Sequence, residues 1–168
     1  MSDFLYTRHN QNILIIIKSP MEFLKDLEDK IAHLNAFDEK ISKSNVAWHI
    51  DHSLKVILAV TEALKKSNPS EYQWKFNFKR QLVYTLGFIP RGKGKAPKAV
   101  QSFDEITKDD IEQQLKKAII AIAEIKQLDQ NSHFQHPIFG SLNLKPTLQF
   151  LKIHTQHHLK IMDDILKK

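Results

Sequence analysis

The chain has 168 residues, 42% of them hydrophobic and 26% charged, with a formal charge of +6 and no cysteine. That length and mixture suit one globular domain and exclude a globally disordered chain. The missing cysteine excludes disulfides, thiolate metal sites and cysteine nucleophiles, and agrees with a cytoplasmic location.

Four glycines and six prolines are few, which favours long helices joined by few turns. Residues 1–18 fit no helical period and read as an N-terminal extension, with Asn12 to Lys18 a short strand or an extended arm. The apolar run Ile13 to Ile17 falls far short of the ~20 residues that a spanning helix needs, so no membrane partner is expected. No basic leader with a small-residue cleavage site precedes it.

Ser19-Pro20-Met21-Glu22 is the first helix start, a cap followed by proline and a capping-box acid. Phe23, Leu24, Leu27, Ile31, Leu34 and Phe37 then recur at helical spacing, predicting a helix to near Ile41. Ser44 is the expected cap of a second helix, which Asn68-Pro69 ends. A shorter helix is predicted over Ser70 to Leu86, although Tyr72, Trp74, Phe76 and Phe78 alternate as in a strand. Trp48, Trp74 and the phenylalanines are expected in the core.

Gly87 to Asp104 reads as a long basic loop carrying Arg91, Lys93, Lys95 and Lys98. Thr107 caps the next helix, with Ile111, Leu115, Ala118, Ile122 and Ile125 as its inner stripe. Residues 129–142 form a second loop containing His136-Pro137-Ile138-Phe139-Gly140, and Asn143 caps the last helix. The expected fold is all-α: a four-helix bundle over residues 19–168 with an extra short helix and the basic loop.

Nine histidines are many for this length, and their placement matters more than their number. On the last helix His154 and His158 lie about 40° apart, on the face that also carries Phe150, Leu151, Ile161 and Ile165. His157 lies about 60° from His154. On the second helix Trp48, His52, Val56, Ala59 and Ala63 share one stripe, with His49 on its flank and Asn45 one turn earlier. A lone inward histidine is ordinarily a hydrogen-bonded core residue. Two at i, i+4 are harder to satisfy, because each imidazole needs partners for both nitrogens and burial opposes charging either. A divalent ion satisfies two such acceptors at once.

Trp48-His49-Ile50-Asp51-His52 together with His154-x-x-x-His158 resembles the DinB-like metal-binding four-helix bundles, over roughly Ser19 onward. Within that superfamily the chain looks like a branch with a tryptophan four residues before the ligand histidine, a His-Pro-x-Phe-Gly loop and a histidine-rich last helix. The resemblance implies one divalent ion, zinc or nickel, held by His52, His154 and His158. It also suggests thiol-dependent transferase chemistry, with a low-molecular-weight thiol or another small molecule as partner. His157 could stand in for a neighbouring ligand.

Three protein ligands leave an open coordination position, the arrangement of catalytic rather than structural sites. Two functions follow: a metal-dependent transferase or hydrolase, or a metal- or ligand-binding protein without turnover. Asn45, His49 and His136 could orient a ligand, or serve as a helix cap, an ordinary surface residue and a turn residue. Arg91 and Lys93 are candidates to hold an anion at the site mouth. The lysines elsewhere are interspersed with acids, and one short basic loop without aromatic platforms does not suggest nucleic acid. Gly87-x-x-x-x-Gly92-Lys93-Gly94 lacks the serine or threonine of a P-loop. Pairing of two copies through an outer helix face remains open.

Overall fold

The computed structural model describes residues 21–92, 100, 105–125 and 127–167, and in these the chain is mostly helical. The extension 1–18, the Ser19-Pro20 cap, and Lys93, Lys95 and Lys98 lie outside the described residues. Residues 21–29 form helix α1. It stops well before Ile41 and gives way to a 3-10 turn, Ile31–His33. The cause is the next helix, whose first amides need acceptors outside it. The Val46 and Ala47 N–H groups donate to the Ala36 and Leu34 carbonyls at 3.1 and 3.0 Å, which a longer α1 would have used itself.

Helix α2, Val46–Lys66, is capped by Asn45 rather than Ser44. The Asn45 side chain accepts the Trp48 N–H at 3.0 Å. This helix is buried on two sides. Val46, Ile50, Leu54, Ile57 and Leu64 enter the apolar core, whereas Trp48, His52, Val56 and Ala59 face a cavity on the opposite side. The stripe containing His52 is therefore the site wall and not the main core face, and Ala59 in it is exposed.

The predicted helix over 70–86 forms only in its second half. One 3-10 turn, Pro69–Glu71, precedes an extended stretch, and helix α3 spans only Phe78–Leu86. Buried Arg80 explains the late start. Its guanidinium donates to the carbonyls of Lys75 (2.6 Å), Ser141 (3.2 Å) and Phe139 (3.4 Å). The Lys75 carbonyl is thus taken before a helix could use it, and Asn77 caps α3 by accepting the Arg80 N–H. Trp74, Phe76 and Phe78 are not core residues: they are 64%, 67% and 70% exposed.

Helix α4, Lys108–Ile125, begins as expected. Thr107 and Asp110 exchange backbone and side-chain hydrogen bonds in a capping box. Its stripe of Ile111, Leu115, Ala118, Ile122 and Ile125 is buried throughout and packs on α2. The 129–142 loop is instead a β-hairpin, so the fold is not purely helical. Strand β1, His133–His136, pairs antiparallel with β2, Gly140–Asn143, with His136 opposite Gly140. Gly140 has φ 73°, a left-handed conformation that a side chain would strain.

Helix α5, Leu144–Leu166, follows directly and packs along α2. Asn143 is its N-cap residue, but its side chain makes no capping bond. Phe150, Leu151, Ile161 and Ile165 are buried on its inner face, as the wheel predicted, and Lys152 and Lys160 are exposed. Among the described residues no helix is long and apolar enough to cross a membrane.

Arg80 fastens three carbonyls to one planar cation, so lysine cannot replace it. Arg80→Lys should lower unfolding free energy by about 1–3 kcal/mol, because a buried carbonyl would lose its donor. Urea denaturation measures this; a variant as stable as the parent would show that the fork contributes nothing.

Candidate metal centre

Helices α2 and α5 bring His52, His154 and His158 together. One ring nitrogen from each lies within 4.8 Å of the other two, close enough for a single ion to reach all three. The spacing arises from one turn of α5, which stacks His154 and His158 with ring centroids 4.7 Å apart, and from α2 lying alongside. His52 is 5.1 Å from His154 and 4.8 Å from His158, centroid to centroid.

The surroundings of each ring decide which nitrogen can face an ion. His52 Nδ1 donates to the Val100 carbonyl at 2.9 Å, which leaves the Nε2 lone pair available. Its ring is stacked on Trp48 at 4.9 Å and 9°, so it has little freedom to rotate. His158 Nδ1 meets His49 Nδ1 at 2.9 Å, and His49 Nε2 meets the Ser42 hydroxyl at 3.0 Å. In the arrangement that suits a metal, His158 Nδ1–H donates to His49 and His49 Nε2–H donates to Ser42. That leaves His158 Nε2 as a lone pair. His154 remains partly exposed as a residue, yet its Nδ1 is enclosed and has no hydrogen-bond partner among the described residues. A buried imidazole nitrogen without a partner is costly, and an ion bound to that nitrogen would remove the cost.

Burial also keeps these rings neutral, the state in which imidazole binds metals. His154 and His158 are held well below the ordinary histidine range, first by desolvation and then by neighbouring histidines. His52 is lowered by burial, against the opposing effect of its bond to Val100. His49 is lowered to about 4, chiefly by burial.

The other candidate residues separate clearly. His49 is a buried support of His158 rather than a surface residue. Asn45 is a helix cap. His136 Nδ1 accepts the Ile138 and Phe139 amides, each at 3.1 Å, so it organises the hairpin turn while its ring lines the cavity beside the three histidines. Burial lowers its pKa to about 4. His157 stays outside the three converging rings and bonds to the Ile89 backbone. Arg91 pairs with Asp164 at 2.7 Å, and Lys93 lies outside the described residues. Sequence reasoning missed Arg80 and Ser42. Arg80 sat among alternating aromatics that drew attention to the strand pattern, and a lone serine gives no local signal.

These depressed values set a pH dependence. The folded rings stay neutral, whereas the same histidines in the unfolded chain take up protons near pH 6.5. Below that pH the unfolded state binds more protons, so stability falls as pH drops towards about 4. Each such ring contributes a slope of up to about 1.4 kcal/mol per pH unit. Melting temperatures of chelator-treated protein between neutral and acidic pH should show this decline; a flat profile would mean that the rings are not held neutral.

No family model matches the chain, and no solved structure matches it. It is similar to the Pro-Pol polyprotein of feline foamy virus, at 29% identity over 157 residues. The similarity covers 84% of this chain but 13% of the polyprotein, so the chain spans a small part of that relative and takes no activity from it.

Proposed function

We propose that this chain is a divalent-metal-binding bundle of the DinB-like kind, in which His52, His154 and His158 hold zinc or nickel for chemistry on a small molecule. The observation carrying this reading is the convergence of three neutral imidazoles, one with an enclosed nitrogen that nothing else satisfies. An ion with three protein ligands keeps one position open, where it acts as a Lewis acid and lowers the pKa of water or a thiol. That favours a hydrolase or a transferase using a low-molecular-weight thiol.

The chain's own residues then have distinct tasks. Val100 and Trp48 fix the ring of His52. Ser42 and His49 fix the proton of His158. Phe134, Phe139 and Phe150 form an apolar wall beside the ligands that limits access of bulk water. A binding protein without turnover is the second reading. It is favoured by the lack of any carboxylate among the described residues lining the cavity, which leaves imidazoles alone for proton transfer.

Elemental analysis of untagged protein should find about one transition-metal ion per chain. His154→Ala should abolish tight binding, because it removes one of three ligands. His49→Ala should keep the stoichiometry at saturating metal but weaken affinity about 10–100-fold, the usual effect of losing a partner behind a ligand. Full metal retention by the combined His52, His154 and His158 alanine variant would sink the assignment.

A further inference from the structure

The metal reading leaves the organic partner unnamed, and the cavity beside the three histidines narrows it. The cavity measures about 300 Å³, at the small end of sites that enclose organic ligands. Val56, Val60, Ile89, Phe134, Ile138 and Phe150 contribute apolar walls. Among the described lining residues there is no aspartate, glutamate, lysine or arginine. An ionised group placed against these walls would lose its hydration without gaining a countercharge from them. Arg91 does not supply one: its guanidinium is bonded to Asp164, and it lines a separate cavity on the far side of His157.

The polar side chains in the described wall are the Trp48 indole and five imidazoles, three of which are already engaged. His52 bonds to Val100, His158 to His49, and His157 to the Ile89 backbone. His136 differs. Its Nδ1 accepts two backbone N–H groups, so its proton is on Nε2. No described residue accepts from that Nε2–H. Stacking on Phe139 at 4.4 Å and 14° fixes the ring plane. Arg80, which holds the Phe139 and Ser141 carbonyls, fixes the hairpin that carries it. His136 therefore presents a rigid donor in the described wall, near the converging histidines and alongside the Trp48 and His154 N–H groups.

We propose that this cavity binds a small neutral molecule with an aromatic or branched apolar body and one carbonyl-type acceptor, to which His136 Nε2–H donates. The proposal rests on the metal reading for the reaction that would follow, but binding itself needs only the cavity and His136.

The test uses the full chain and three fluorinated probes of similar shape, followed by fluorine NMR: 4-fluoroacetophenone, 4-fluoroethylbenzene and 4-fluorobenzoate. Titrations are run on chelator-treated protein, where a bound ion cannot capture the carboxylate, and metal content is measured on untreated samples. The ketone should bind about five- to tenfold more tightly than the hydrocarbon, the effect of one neutral hydrogen bond. It should also bind more tightly than the benzoate. His136→Asn keeps an acceptor for the turn amides, and its shorter amide draws the donor back from the Nε2 position, so it should erase the ketone's advantage while the hydrocarbon still binds. The proposal is overturned if benzoate binds best, if ketone and hydrocarbon bind equally, or if none binds at millimolar concentration. The metal reading fails on a different result, the absence of an ion from untreated protein.

Discussion

Neighbouring imidazoles packed against one another must all stay uncharged, and the rest of the site is arranged around that constraint. His52, His154 and His158 sit in mutual contact between α2 and α5 and His49 touches His158, with centroid separations of 4.7–5.2 Å. A proton on any one would repel the next and lose its hydration. Each ring must therefore find a donor, an acceptor or an ion for both nitrogens. Val100 does this for one nitrogen of His52, and Ser42 does it for His49. One nitrogen from each of His52, His154 and His158 lies within 4.8 Å of the other two, which is the condition that makes a shared ion the natural occupant.

The same constraint explains why α2 is apolar on both sides. One face enters the core through Ile50, Leu54 and Leu64. The other carries Trp48 and His52 to the cavity. A helix in solvent shows one apolar stripe, whereas one hydrophobic all round is enclosed. Here α4 covers one side, and the hairpin with α5 covers the other. The Asp51 carboxylate, buried at the helix interior, is met by Lys55 at 3.0 Å and by the Gln114 amide at 2.7 Å, which ties α2 to α4 without disturbing the histidines.

Features encoded by local period were legible in the sequence, and features encoded by distant partners were not. The stripe of α4, its Thr107 cap and the inward pair His154 and His158 follow from 3.6-residue spacing alone. The end of α1 does not, because the Leu34 and Ala36 carbonyls are claimed by the start of α2. The late start of α3 depends on Arg80 reaching Phe139 and Ser141 across 59 and 61 positions. The hairpin was hidden because its strands are four residues each and one contains two histidines. His49 looked like a flank residue on the wheel; only the approach of α5 turns it into the partner of His158.

The separation of these partners also bears on the order in which the molecule assembles. His49 and His158 are 109 positions apart, and His52 and Val100 are 48 apart. Such contacts return nothing until the intervening chain has been ordered, so the entropy of closing those long loops is paid first. Helices α2, α4 and α5 can each begin from nearby residues, but the histidine cluster cannot exist in a partly docked chain. It forms only once α5 seats against α2. A ligand that recognises the completed cluster then distinguishes a finished molecule from every earlier compact form.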